Sequence, residues 1–340
     1  RLSPDRWITG TKWTKSTATI ARRAMNRRSK NRAAKLALVA ICIGAVVLLV
    51  REVGSEEVAG TLLAATSIIP LLLVLEAGRI GCEALCTRWI AAGMGGRIPA
   101  WPLVRSSLVG YSVCIVTPAG RPVGEAVRAA MIAPFVGARR SAVVATTNQA
   151  LTLVGNSVLS LAAALIAIGS RGWSALTVAL FGYAMAATAL ALVVQLVARW
   201  QRFDGWLARI MPKYRKSLSG FTESAKQISL IPARPALAMI SGRMLQAVQL
   251  GVLGSVLGLD FDLETVLILQ GINLVGGAVG DWTPAQLGAI DGAFVLAASS
   301  IGVTAAVGLS IAILFHCVQL FWVAVGALVP LVSGTWLAEA

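Results

Sequence analysis

The stretch that decides the fold interrupts an otherwise apolar region and reads Thr117-Pro118-Ala119-Gly120-Arg121-Pro122-Val123-Gly124-Glu125-Ala126-Val127-Arg128. Its two prolines and two glycines are residues that interrupt a membrane helix. Each of its three ionisable side chains would cost roughly 2.5–3.5 kcal/mol if it stood unpaired near the centre of a bilayer. We therefore expect Arg121, Glu125 and Arg128 to have a function that offsets this cost.

The composition is that of an integral membrane protein. Of the 340 residues, 57% are hydrophobic and only 13% are charged, whereas about a quarter are charged in soluble domains. Several apolar runs reach the roughly 20 residues of a spanning helix. The formal charge of +15 lies in the segments between these runs and not on one folded basic face. This pattern predicts contact with anionic membrane lipids and no nucleic-acid partner.

The charges between the apolar runs predict a topology with both termini in the cytoplasm. Residues 1–32 hold ten arginines and lysines against one acid, Asp5, and are predicted to form a cytoplasmic tail. Residues 33–50 follow without a small-residue cleavage site, which favours a first span or an uncleaved anchor. Further spans are predicted near 59–77, 141–168, 174–198, 235–259 and 303–332. The fold class is therefore an all-α integral membrane protein with about six full spans.

A basic connector divides the membrane part into two halves. The first half, 33–198, contains the interruption near 101–136, and the second half, 235–340, contains another near 264–301. The connector, 199–234, carries aromatic and basic side chains at near-helical spacing, which favours an amphipathic cytoplasmic helix in the headgroup plane. A solvated loop is the alternative.

Both interruptions predict re-entrant helical hairpins. Basic residues flank the first on both sides, which favours entry and exit on the same face of the membrane. One full span followed by a surface helix is the alternative. The second interruption, Gly280-Asp281-Trp282-Thr283-Pro284, follows an acidic loop at 260–264 that is expected outside. Broken backbone is tolerated at membrane depth only where it is buried in protein or lines a wet cavity.

The two interruptions resemble each other. Thr117-Pro118-Ala119 corresponds to Thr283-Pro284-Ala285, and Glu125 and Asp291 each stand seven residues after the proline. The charges orient the two hairpins oppositely, which is typical of an inverted repeat with a polar site at the membrane midplane. Half-helix N-termini would add partial positive charge to that site.

These motifs resemble those of the flippase-like membrane domain of lysylphosphatidylglycerol synthases. The first family motif, a proline followed by Arg, Gly-Glu and a later Arg, falls on Pro118, Arg121, Gly124-Glu125 and Arg128. The second falls on Pro284, Gly288 and Asp291, with Ala285-Gln286 where glycines are usual and Asp in place of Glu. The resemblance covers about 35–332. It implies a stand-alone lipid translocator of the bacterial cytoplasmic membrane, without the soluble synthase domain and its aminoacyl transfer.

The predicted site is a path for a lipid headgroup. Arg121 and Arg128 offer bidentate hydrogen bonds to phosphate, and Glu125, one turn from Arg121, would neutralise it when the site is empty. Buried ion pairs that merely join the repeats are the alternative. Asp281 and Asp291 are candidates to pair with Arg243 or to carry a coupling proton. The predicted substrate-binding set is Arg121, Glu125, Arg128, Pro118, Gly124, Pro284, Gly288, Asp291 and Asp281, with Arg243 as a candidate for ion pairing or coupling.

Translocation of an anionic, phosphate-bearing lipid is thus the expected function, and the expected partners are membrane lipids, a second copy of the chain or a lipid-modifying enzyme. No HExxH, GxSxG or P-loop motif is present, so we expect no enzymatic activity. A non-transporting scaffold for such an enzyme and a membrane-embedded lipid-phosphate enzyme are the alternatives.

His316 is interpreted as a packed or interfacial histidine rather than a proton relay. The five cysteines form no CxxC pair and predict packing, with no metal or cofactor.

Overall fold

The protein is all-α in the computed structural model, which describes residues 65–210 and 220–332 together with Arg51, Glu56, Gly60 and Leu63. The predicted tail at 1–32 and the predicted first span at 33–50 lie outside the described residues. Eleven α-helices are described, with short 3-10 turns between some of them: α1 Ile69–Gly93, α2 Ala100–Val116, α3 Gly120–Val136, α4 Ala138–Arg171, α5 Ala175–Ala198, α6 Phe203–Ile210, α7 Phe221–Lys226, α8 Ala233–Val256, α9 Leu263–Gly280, α10 Ala289–Ala297 and α11 Ala305–Val332.

Six segments of the described part are long and apolar enough to cross a membrane, which confirms the predicted all-α membrane fold. They are Ala138–Arg171, Ala175–Ala198, Ala233–Val256, Leu263–Gly280, Pro284–Ile301 and Ala305–Val329. Two of the six lie in the predicted second hairpin, whereas α2 of the first hairpin is apolar but shorter. That both hairpins end inside the bilayer stays a prediction.

Helix α1 differs from the span predicted near 59–77. It begins at Ile69 after a 3-10 turn, with a proline in its first turn, and continues to Gly93. The helix itself does not end near residue 77, and Glu76 and Arg79 are buried within it, with 0% and 5% of their surface exposed. Their charges therefore lie in a polar interior of the helix bundle.

The connector contains two different helices in its described part. In α6 the rings of Phe203 and Trp206 stack with centroids 5.4 Å apart, and Trp206 is exposed. Helix α7 instead buries Phe221 against the bundle, where the ring lies near Phe203. Helix α7 is therefore held on α4 and α5 of the first half, and α6 lies against α7.

The first interruption joins α2 and α3 into an antiparallel hairpin of two 17-residue helices. The helices approach closely, since a Cβ atom added to Gly124 would stand 2.6 Å from the Gly110 carbonyl oxygen. At the other end, a Cβ added to Gly96 would stand 2.8 Å from Val136. Both ends of the hairpin therefore lie side by side, at the start of α4.

The second interruption also returns the chain to the end of the helix bundle at which α9 began. Arg171, at the end of α4, donates from Nε to Glu264 at the start of α9 over 2.9 Å. The same guanidinium donates from Nη1 to the Ser300 carbonyl, beyond α10. One arginine thus holds both ends of the second hairpin, at the opposite end of α4 from the first.

The sequence match between the two interruptions is a match of backbone conformation. Thr117 has φ −98° and ψ 141°, and Thr283 has φ −105° and ψ 143°, the extended form favoured before proline. Ala119 and Ala285 follow the prolines with φ of 53° and 56°, in the left-handed region. Gln286, φ 57°, is the other non-glycine residue of the described part with positive φ. Two of these three residues, Ala285 and Gln286, stand where glycines are usual in the family that the motifs resemble.

Ala119→Gly is expected to leave stability unchanged or raise it by up to about 1 kcal/mol, because glycine adopts the left-handed conformation without steric strain. The matched control, Ala126→Gly at an exposed position inside α3, should cost about 1 kcal/mol. Thermal unfolding in detergent micelles measures both. Equal losses for the two variants would show that Ala119 carries no strain.

Candidate functional site

The two interruptions meet. The backbone N–H of Ala119 donates a hydrogen bond to the backbone carbonyl of Asp281 over 2.8 Å. Beside this contact lies a cavity of about 340 Å³, lined by α1 to α5, α8, α9, α11 and the second interruption. The tips of the two hairpins therefore form one wall of one cavity.

A charge ladder of five side chains lies beside the cavity, made of Glu76, Arg79, Glu83, Arg128 and Glu125, and all of them except Glu76 line the cavity. Arg79 donates to Glu76 over 2.9 Å and to Glu83 one turn further on. Arg128, on α3, lies 3.4 Å from Glu83 and 2.8 Å from Glu125. Every member is at most 17% exposed in its side chain. Mutual pairing is what allows these charges inside an apolar bundle.

Neutral groups add hydrogen bonds to both ends of the ladder. Tyr111 donates from its hydroxyl to Glu76 over 2.8 Å, and its ring lies under the Arg79 guanidinium at 5.1 Å. At the other end, Asn148 on α4 donates to Glu125 over 3.4 Å. The ladder thereby connects α1 to α2, α3 and α4, and it fixes the first hairpin in place.

Six of the predicted site residues line the cavity, namely Arg121, Gly124, Glu125, Arg128, Asp281 and Arg243. The predicted pairing of Glu125 with Arg121 is not formed, because Glu125 pairs with Arg128. Among the residues that the structure describes, no carboxylate forms an ion pair with Arg121, which is half-buried. Arg121 is thus available to a ligand, while Arg128 is engaged by protein.

The predicted pairing of Arg243 with an aspartate is also not formed. Arg243 donates from Nη1 to Gln246 over 2.9 Å, while its Nε and Nη2 are buried and find no hydrogen-bond partner within the described ranges. Asp281 accepts a hydrogen bond from Gln286 over 2.9 Å. Arg243 is therefore a buried cation with no carboxylate partner in the described part of the chain.

Asp291 lies apart from the cavity lining. It is fully buried, accepts a 2.7 Å hydrogen bond from the Gly288 N–H at the start of α10, and lies 3.3 Å from His316 Nε2. The side chain thereby caps α10, and His316 is packed against it. Pro118 and Pro284 shape the interruptions and likewise do not appear in the cavity wall. Direct contact of these residues with substrate stays a prediction.

The site contains residues that the motifs did not indicate, above all Glu76, Arg79 and Glu83 of α1. Their spacing, three and then four residues, places them on one face of a helix and was a readable signal of mutual pairing. Tyr183 and Asn156 also line the cavity, and Asn156 donates to the Tyr183 hydroxyl over 3.0 Å. No sequence pattern distinguished this second pair from ordinary polar packing.

Comparison with known proteins agrees with the resemblance noted from the motifs. A family model described as the lysylphosphatidylglycerol synthase TM region matches residues 32–326, which include every residue of the cavity wall. Comparisons with curated proteins and with solved structures gave no match. The chain therefore belongs to the family of the lysylphosphatidylglycerol synthase TM region.

Proposed function

We propose that the protein moves an anionic phospholipid, or a related lipid with a phosphate-bearing headgroup, across the bacterial cytoplasmic membrane through this cavity. The observation that carries the proposal is the contact between Ala119 and Asp281, which joins two helix interruptions beside four arginines. Interrupted helices that meet at a polar cavity are the arrangement by which transporters hold charged substrates inside a membrane.

The lengths of the helices support a midplane position for the cavity. Helix α4, with 34 residues, is about 51 Å long and runs from the base of one hairpin to the base of the other. The hairpins, built on α2 and α9 with 17 and 18 residues, are each about 26 Å long and meet at their tips. These lengths favour tips about halfway along α4, and they support the proposed position of the tips near the middle of a hydrocarbon core about 30 Å thick.

The lining of the cavity suits an amphiphile. Its buried part carries charges and amides, whereas its exposed part is apolar, with Leu190 51% exposed and Ala186 and Ala278 also exposed. A headgroup in the buried part would leave its acyl chains on this apolar side. We propose that binding and release, without an enzymatic step, are sufficient for such a cavity to pass a lipid between leaflets. A second copy of the chain or a lipid-modifying enzyme is the proposed protein partner.

Transport in vesicles tests the proposal. The purified protein in proteoliposomes is expected to move fluorescent phosphatidylglycerol between leaflets faster than protein-free vesicles do. Arg121→Gln should slow this movement by roughly tenfold or more, because a hydrogen bond to a charged group contributes about 1.5–3 kcal/mol. Arg88→Gln, an exposed arginine of α1 outside the cavity wall, is the matched control and should transport normally.

The unfolding temperature of each variant separates loss of function from loss of fold. The proposal is contradicted if lipid movement is no faster than in empty vesicles for phosphatidylglycerol, phosphatidic acid and cardiolipin alike. Stable co-purification of a lipid-modifying enzyme, with no transport, would favour the scaffold instead.

A further inference from the structure

The buried guanidinium of Arg243 is unusual in having two free nitrogens on one edge. Only 2% of this residue is exposed, yet Nε and Nη2 have no hydrogen-bond partner among the residues that the structure describes. These two nitrogens form one edge of the planar guanidinium, the edge that meets two oxygens of a phosphate or carboxylate side by side. A buried cation with such an edge unoccupied requires an explanation.

The charges around Arg243 do not neutralise it. The charged side chains that act on it most strongly are two other arginines, Arg121 and Arg79, followed by Glu83. Glu83 already contacts Arg79 and Arg128 in the ladder. The surroundings of Arg243 therefore favour an anion that the described part of the chain does not supply.

The other three arginines of the cavity wall divide into two classes. Arg79 uses all three of its nitrogens on Glu76 and Glu83, and Arg128 uses both terminal nitrogens on carboxylates, which leaves only its Nε. Arg121 forms no ion pair with any residue of the described ranges, and Asp281 is the carboxylate that acts on it most. Arg121 and Arg243 are thus the two arginines whose donors remain for a ligand.

We propose that Arg121 and Arg243 together form a receptor for the phosphate anion of the substrate, and that the ladder arginines do not bind it. The proposal rests on the proposed function and assigns its anion site. The two residues come from different halves of the chain, α3 and α8, and the phosphate would lie between them. Two guanidiniums that face one phosphate recognise a monoester or diester anion by both charge and geometry.

A structural consequence separates this receptor from a buried ion pair. Removal of a paired charge leaves its partner unpaired and destabilises a protein. Removal of an unpaired buried cation should instead stabilise the empty protein, since the cost of desolvating that cation is lost. Arg243→Gln is therefore expected to unfold at a higher temperature than the wild type when no ligand is present.

Thermal unfolding in neutral maltoside micelles tests the receptor. Dihexanoylphosphatidylglycerol should raise the unfolding temperature of the wild type, since a ligand that binds the folded state stabilises it. Dihexanoylphosphatidylcholine, whose choline is cationic, should raise it less. Arg243→Gln should abolish the shift, Arg243→Lys should retain part of it because its ammonium lacks the two-nitrogen edge, and the exposed Arg88→Gln should retain all of it.

Inorganic phosphate distinguishes the source of the anion. A shift with the lipid that greatly exceeds the shift with phosphate alone supports a lipid headgroup, whereas equal shifts support a receptor for free phosphate and contradict lipid transport. The receptor is overturned if neither compound shifts the wild type, if Arg243→Gln keeps the full shift, or if Arg243→Gln unfolds earlier than the wild type without ligand. If the protein transports no lipid but the lipid still raises its unfolding temperature, only the proposed function is overturned.

Discussion

Glu83→Gln is expected to lower the free energy of unfolding by about 3–5 kcal/mol, the loss that follows when one partner of a buried ion pair is removed. Glu83 is the carboxylate that contacts both Arg79 and Arg128, whose side chains are 6% and 4% exposed. Its neutralisation would leave two buried guanidiniums to share Glu76 and Glu125. The ladder would then separate into two halves, and α3 would lose its ionic contact with α1.

Denaturation by sodium dodecyl sulfate in mixed micelles measures this loss, and Glu264→Gln is the matched control. Glu264 pairs with Arg171 at 2.9 Å, but the two side chains are 28% and 33% exposed, so its neutralisation should cost less than about 1 kcal/mol. Glu83→Gln combined with Arg128→Gln should cost less than the sum of the two single changes, because the two residues are in contact. Similar losses for Glu83→Gln and Glu264→Gln would contradict the ladder as a buried network.

Gly120→Ala is expected to prevent closure of the first hairpin and to cost at least about 3 kcal/mol, at the upper end of the range for steric overpacking. A Cβ atom at this position would overlap the backbone carbonyl group of Cys114, which cannot move away as a side chain would. Gly120 begins α3 immediately after Ala119, so any displacement would also disturb the hydrogen bond to Asp281.

The same substitution elsewhere provides the control for Gly120→Ala. Gly292 lies within α10, and a Cβ atom added there meets nothing within 4 Å. Gly292→Ala should therefore be tolerated or gain up to about 1 kcal/mol from the higher helix propensity of alanine. Unfolding temperature and the yield of folded protein after gel filtration check both variants. If the two variants behave alike, the close approach of α2 and α3 does not limit stability.

The charges of the first motif serve two different purposes. Arg128 pairs with Glu125 and with Glu83 of α1, which agrees with the alternative of buried ion pairs, although these partners lie within the first half and not across the repeats. Arg121, in the same motif, has no ionic partner among the residues that the structure describes. The motif therefore combines a structural pair and a free cation within eight residues.

The sequence by itself determined the class of the protein, the positions of most helices and the two interruptions. Hydropathy, proline and glycine act locally, so α4, α5, α8 and α11 lie close to their predicted positions. The sequence match of the two Thr-Pro-Ala triplets also predicted a match of backbone conformation, because the backbone turn at each triplet depends mainly on its own residues.

Only the tertiary structure decided which charges meet. Glu76, Arg79 and Glu83 were not among the predicted site residues, since the sequence of a single helix cannot show that its charges have partners on α3. Asp291 matches Glu125 in sequence, yet it caps α10, because neighbouring helices and not spacing set the surroundings of a side chain. Arg243 became a candidate anion receptor for the same reason: whether a buried charge is paired depends on helices that are distant in sequence.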